Sequence, residues 1–260
     1  GEADDAGQGV NLYAMTFGAG SSRRLYAGAP RGGFFVSDDG GKTWNKSTHG
    51  LPHETVTRVV AHPKNADVVW VSLGSGRKNE SGDFLPGGVY KSTDGGKTWV
   101  SISQGLPQKS HRERNFASRY EAFAVAESDP DVMYVADNAW DTGVIYVTRD
   151  GGKTWRAVAS KGNGGVPESV MKTVYKLETA YPGGLAGTFH SVDPKNADVV
   201  FGAGTEHVLR SRDGGKTWDD GNIKTAAGWR GRGFTGLCAM NYRFNPFRRN
   251  HVIFQAMDAG

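Results

Sequence analysis

SDDGGKTW runs from Ser37 to Trp44, and the phrase returns as STDGGKTW from Ser92 to Trp99, TRDGGKTW from Thr148 to Trp155 and SRDGGKTW from Ser211 to Trp218. The central aspartates, Asp39, Asp94, Asp150 and Asp213, are spaced by 55, 56 and 63 residues. A period near 50 residues marks one supersecondary unit repeated, and a four-stranded blade is a unit of that size. Asp-Gly-Gly between two β-rich runs predicts a tight hairpin turn, because glycine enters positive φ without steric cost. The Ser or Thr hydroxyl and the Asp carboxylate can both accept backbone N–H bonds inside such a turn. Each closing Trp is expected to start the next strand and to bury its ring in the blade core. The lone lysines, Lys42, Lys97, Lys153 and Lys216, are expected to face water.

A second repeated phrase fixes the strand order. It reads VVAHPKNADVVWVS from Val59, AVAESDPDVMYVA from Ala124, HSVDPKNADVVFGA from His190 and YRFNPFRRNHVIFQA from Tyr242. Each is an apolar strand, a Pro-centred turn and a second apolar strand, since Pro cannot sit in a central ladder. The expected fold is an all-β propeller of four-stranded antiparallel blades, forming a single domain over 1–260. Blades are expected at about 11–50, 56–105, 119–160 and 185–222, with half a blade over 235–260. Such a partial propeller leaves sheet edges open, so the remaining blades are expected from the rest of the chain or from a second chain.

Composition narrows the class. The 260 residues hold 38 Gly, seven Trp and 22% charged residues. No apolar run approaches the ~18 residues that would suggest a membrane span. The start, GEADDAGQG, has no signal-peptide pattern and reads as a mature or trimmed terminus. Cys238 stands alone, which excludes an internal disulfide framework and a cysteine metal cluster. The net charge of +4 is too small to argue for nucleic acid, and no nucleic-acid motif accompanies it.

The octapeptide S/T-x-D-x-G-x-T-W resembles the Asp-box of sialidases, sortilin-like receptors, xyloglucan-hydrolysing glycosidases and some assembly factors. In those families the box is a structural hairpin away from the active face, and the resemblance implies that role for all four copies. Propeller geometry then puts the turns inside the first and last strand pairs on one face. The loops between the second and third strands, and those between blades, fall on the other face.

Those loops break the repeat. They carry Arg31, Arg77, Arg112, Arg114, Arg119, Arg230 and Arg232, and also Trp140 and Trp229, which lie outside the octapeptide series. Converging arginine forks would select an anionic ligand, whereas pairing with Glu80, Glu113 or Glu121 would make them ordinary surface ion pairs. A loop Trp is a platform for a sugar ring or a plug between blades. Loops longer than about 12 residues, such as 161–184, are usually functional or disordered.

The stretch GFTGLCAMNYRFNPFRRNHVIFQAMDAG resembles the opening strands of xyloglucan-hydrolysing glycosidases, and this implies that Asp258 is a catalytic base. The same position of other blades holds Pro30, Asn138 and Thr205, so the acid is not part of the repeat. Glycoside hydrolysis needs a second carboxylate, about 5–5.5 Å away for retention or about 6.5–9.5 Å for inversion. The expected function is therefore that of a glycoside hydrolase, secreted or periplasmic, acting on a carbohydrate without a cofactor. Two other classes stay open. One is a non-catalytic propeller that binds a protein or glycan. The other is a polysaccharide lyase using His53, His111 or His207 with Tyr120 on a uronate polymer. Sialidase activity is not expected, because no Phe/Tyr-Arg-Ile-Pro run precedes the first box. No histidine cluster supports a transition metal, while Asp137 and Asp141 could contribute to a calcium site.

Overall fold

The computed structural model describes residues 14–76, 78, 80–108, 118–120, 122–137, 144–160, 188–203, 208–220, 222–225, 228–231, 238–244 and 252–257. Among them there is no helix, and every element is a strand. The first sheet is a meander of β1 (Ala14–Phe17), β2 (Leu25–Ala29), β3 (Gly33–Ser37) and β4 (Asn45–Lys46). The second repeats it with β5 (Val56–Ala61), β6 (Val69–Leu73), β7 (Gly88–Ser92) and β8 (Val100–Ser101). The third holds β9 (Ala122–Val125), β10 (Met133–Asp137), β11 (Val144–Thr148) and β12 (Arg156–Ser160). A fourth holds β13 (Thr188–Asp193), β14 (Asn196–Ala203), β15 (Val208–Ser211) and β16 (Asp219–Asp220). All pairings are antiparallel, as short connections require. The chain is an all-β propeller of four-stranded blades.

Two hairpins follow. β19 (Cys238–Phe244) pairs with β20 (Val252–Met257), a two-stranded sheet where half a blade was expected. β17 (Asn222–Thr225) pairs with β18 (Gly228–Gly231), which corrects the reading of Gly228–Gly231 as loop. Trp229 and Arg230 stand on that strand, opposite Lys224 and Ile223. The β-branched Ile223 and Thr225 and the two-residue connection favour a hairpin that the blade pattern had hidden.

The chain divides into two compact units, Gly1–Glu121 with Asp150–Trp155, and Ala122–Arg149 with Arg156–Gly260. In the first unit the core joins Tyr26 and Phe34 of the first sheet to Val56, Val59, Val69, Val71, Leu73 and Trp99 of the second. All five residues of β6 are buried, and its three aliphatic side chains, Val69, Val71 and Leu73, each contribute about 1.5–3 kcal/mol. Gly28 sets the approach of the two sheets, because a Cβ there would lie 2.5 Å from Val56 Cγ1. The second unit has its own core, built on Tyr134, Ile145, Val147, Val158, Val192, Val200 and Trp218.

Each octapeptide turn closes on itself. Around Asp94, Ser92 Oγ donates to Oδ1 (2.7 Å) and accepts from Gly96 N (2.8 Å). Lys97 N and Thr98 N both donate to Oδ1 at 3.0 Å, and Thr98 Oγ1 donates to Oδ2 at 2.6 Å. The same bonds surround Asp39 and Asp213, and Thr154 bonds Asp150 twice. Gly96, at φ +87°, lies against Phe34, and a Cβ there would be 2.4 Å from Phe34 Cε1.

The closing tryptophans differ. Trp99 is 4% exposed, meets Phe34 edge-on at 4.8 Å, and its Nε1–H donates to Ser47 O beyond the first sheet's outer strand. Trp155 does the same to Ile102 O beyond the outer strand of the second sheet. Trp218 is buried, but its indole donates to its own turn at Gly215 O. Trp44 is only half-buried, which corrects the expectation of a buried ring. No sheet precedes the first one among the described residues, and the Trp44 indole turns back to Gly41 O. The four lysines are exposed.

Candidate functional site

At the turn end of the sheets, ionised groups are paired within the protein. Arg24 Nε donates to Asp38 Oδ1 (2.6 Å) and Nη1 to Asp67 Oδ1 (2.8 Å), joining the first sheet to the β5–β6 turn. In the second unit Arg149 pairs with Asp198 in the same way. The turn carboxylates are held ionised. Asp94 is lowered to about 2, first by the Thr98 hydroxyl, then by the Thr98 N–H and the Ser92 hydroxyl. Asp39 is lowered further by the matching bonds from Thr43. Burial pushes Asp213 up, but the bonds from Thr217 and Ser211 outweigh it and its pKa falls. A carboxylate so saturated with donors is a poor proton acceptor near neutrality.

The opposite end of the second sheet is built differently. Residues 74–87 leave β6, form a bridge between Lys78 and Phe84, and return through Leu85-Pro86-Gly87 to β7. Bonds to other segments hold this excursion. Gly87 N donates to Ser118 O (2.8 Å), and Ser118 N donates to Gln108 O (3.0 Å). Tyr120 N donates to Leu73 O at 3.1 Å. His53 ties in the segment before β5: Thr55 N donates to Nδ1 (3.3 Å), so the proton sits on Nε2 and faces Pro86 O at 3.0 Å. Burial lowers the His53 pKa, against a smaller opposing effect of the Pro86 carbonyl. Gly76 is in contact with the ring, since a Cβ there would lie 2.6 Å from His53 Cδ2.

These segments enclose a cavity of about 230 Å³. Pro52, Leu85, Pro86 and Gly87 form one side, and Leu106, Pro107 and Gln108 another. Tyr90, Ser101, Ser103 and Tyr120 complete it. Ser103 Oγ donates to Val89 O and accepts from Val89 N, while Tyr120 Oη donates to Pro107 O at 2.6 Å. Burial raises the Tyr90 phenol, with the Ser101 hydroxyl opposing. Among the described residues, the wall holds no Lys, Arg, His, Asp or Glu side chain.

The cavity lies among the loops that the propeller reading assigns to the ligand face, yet it uses few of the residues singled out there. Tyr120 and the neighbour of Pro52, His53, are the ones it brings together. Arg119 sits between Ser118 and Tyr120 and is exposed, as are Arg31 and His49. Asp137 is buried at the end of β10. Asp258, Arg77, Arg112, Arg114, Trp140, Asp141, His111, His207 and Arg232 lie outside the described residues. Among the described residues no three His, Cys, Asp or Glu side chains gather as a metal site. Sequence reasoning missed the cavity's signature, which is three Leu-Pro pairs at Leu51-Pro52, Leu85-Pro86 and Leu106-Pro107. Two of these follow Gly at the same distance after an octapeptide.

The model of the DUF6242 beta propeller domain matches residues 5–179. The chain belongs to the DUF6242 beta propeller domain family. This DUF6242 chain is 28% identical over 224 residues to a probable oligoxyloglucan-reducing end-specific xyloglucanase of Neosartorya fischeri, which covers 75% of the chain and 25% of that protein. It is 29% identical over 130 residues to the photosystem II assembly lipoprotein Ycf48 of a Synechococcus strain, covering 50% of this chain and 32% of that one. Among solved structures, the GH74 xyloglucanase from Xanthomonas campestris superposes with a TM-score of 0.55 at 19% identity, covering 95% of this chain and 34% of that chain. That likeness is one of fold. The DUF6242 chain spans about a quarter of the length of the xyloglucanases it matches.

Proposed function

We propose that this chain is part of a glycan-active propeller that works outside the cytoplasm as a glycoside hydrolase on a neutral polysaccharide of the xyloglucan type. The observation that carries the reading is the similarity to several xyloglucanases, at 24–28% identity over three quarters of the chain for two of them. The octapeptides are then Asp-boxes, and the single partial propeller is completed by further blades. Asp258 acts as general base at a mouth where Arg112, Arg114, Arg119, Arg232 and Trp140 of the non-repeating loops, with Trp229 and Arg230 of β18, position the glycan. The uncharged cavity at the second blade favours a neutral over an anionic substrate. In the full-length protein, Asp258→Asn should lower turnover of xyloglucan by about 10²–10⁴-fold while KM changes little, as loss of a general base does. Unchanged turnover would remove the hydrolase assignment.

A second reading has its own support. Ycf48 is named as an assembly protein, and its similarity over half of this chain fits a propeller that only binds. On that reading Asp258→Asn leaves affinity nearly unchanged, and Trp229→Ala or Arg230→Ala weakens it more.

A further inference from the structure

The second-blade cavity is built from residues that no part of the catalytic reading uses, and its chemistry is one-sided. Pro52, Pro86 and Pro107 give it rigid C–H walls, and Tyr90 adds a half-buried aromatic ring. Its deeper hydroxyls are engaged within the protein: Ser103 Oγ bonds both Val89 N and Val89 O, and Tyr120 Oη donates to Pro107 O. At the mouth two polar side chains are exposed: the Ser101 hydroxyl, which accepts from Ser103 N at 3.3 Å and bonds the Tyr90 phenol, and the Gln108 amide. The volume, about 230 Å³, is below the ~300–1,000 Å³ typical of drug-sized sites, so it suits one ring rather than an extended ligand.

We propose that this cavity is a subsite for a single uncharged sugar ring of a glycan chain. One C–H face lies against the prolines and Tyr90, and the hydroxyls turn outward to Ser101 and Gln108. The proposal rests on the glycan-active reading above, and adds to it a place and a selectivity. A sugar bearing a carboxylate would have to shed its water here, and no cation stands among the described residues of the wall to replace it, which is costly. The subsite therefore discriminates against uronates. The two walls are also fixed before ligand arrives, by His53 on Pro86 and by Ser118 between Gly87 and Gln108. Such a pre-formed site loses little ordering entropy on binding.

The test is calorimetric titration of the full-length protein, carrying Asp258→Asn to prevent turnover, with neutral xyloglucan oligosaccharides and separately with oligogalacturonides. The neutral sugars should bind at least about tenfold more tightly, because a desolvated, unpaired charge is penalised. Ser101→Ala with Gln108→Ala should weaken neutral binding about tenfold, the loss of two modest hydrogen bonds. Both positions are exposed, so folding should survive, and circular dichroism checks that it does. Gln108→Arg should raise the affinity for oligogalacturonides by adding a cation at the mouth. The proposal is overturned if no sugar binds, if uronates bind as well as neutral sugars, or if the double alanine variant binds unchanged. Displacement of the sugar by a proline-rich peptide at the same tyrosine would overturn it as well, by making the cavity a peptide site. The catalytic reading fails separately, through undiminished turnover by Asp258→Asn.

Discussion

The two ends of the second sheet solve the same problem, reversing the chain between strands, by opposite means. The Ser92–Trp99 turn sets its shape with its own side chains, Ser92, Asp94 and Thr98, and reaches out only afterwards, from Gly95 N to Asp67 O, Trp99 N to His49 O and the Trp99 indole to Ser47 O. The 74–87 excursion borrows its partners from elsewhere: His53 on Pro86, Ser118 on Gly87, and Thr55 on Gly74. A turn whose own side chains set its shape can be copied four times, and Gly40, Gly95 and Gly214 each donate to a carbonyl outside their own octapeptide. A loop that depends on distant segments changes whenever they change, and it can enclose a cavity that no other blade has reason to repeat.

Four measurements would break or sharpen that contrast. The largest effect is expected at the turn end. Trp99→Ala should destabilise the chain by about 3–5 kcal/mol in denaturant unfolding, as large core truncations do. Trp44→Ala should cost roughly half as much, because its ring is only half-buried. Equal losses would mean that the two rings have equivalent neighbours after all. Asp94→Ala should cost about 2 kcal/mol, since Lys97 N, Thr98 N and the two hydroxyls lose their acceptor together. A loss within experimental error would show that water replaces the carboxylate and that the turn is less self-contained than its bonds imply.

Arg24→Ala should cost only about 0.5–1 kcal/mol despite its two aspartate partners, because the pairs are solvent-accessible and salt screens them. Repeating the measurement in high salt should erase most of the difference. The smallest effect, and the one specific to the loop end, is a pH dependence at His53. Burial holds its folded pKa below the ordinary 6.5, so the unfolded chain takes up the proton first. Stability is therefore full above about pH 6.5 and falls as the pH drops toward the depressed folded value, then levels off. Asp94, lowered to about 2, stays ionised through that window and leaves the turn end unaffected. Amide protection factors, corrected for the intrinsic exchange rate, should thus fall around Gly87–Val89 but not around Asp94–Trp99 at mildly acidic pH. Replacing His53 with Gln should remove the dependence.

The four octapeptides were legible because their chemistry is local. Ser, Asp, Gly and Thr within eight residues state the bonds that they make, and the spacing of the copies states the sheet. Trp44 was not legible, since its exposure depends on what packs against the first sheet rather than on anything in SDDGGKTW. The β17–β18 hairpin was overlooked because its strands are short and fall outside the blade period. The cavity was harder still. Leu51-Pro52, Leu85-Pro86 and Leu106-Pro107 are separated by more than 20 residues each, and nothing in a Leu-Pro pair announces a wall. Only the folded backbone brings them within reach of Tyr90 and Tyr120.

One bond has a bearing on how the chain is made. The indoles of Trp99 and Trp155 reach back 52 and 53 residues to carbonyls already synthesised, Ser47 O and Ile102 O. At ribosomal speeds of about 5–20 residues per second, one repeat takes about 3–11 seconds to emerge. Each of these two tryptophans thus arrives as a latch for the repeat just completed, and this part of the nascent chain can fasten itself stepwise from the N-terminal side. A ribosome stalled just before Trp99 would leave the first sheet's Ser47 carbonyl waiting and the Phe34 ring without its edge-on neighbour.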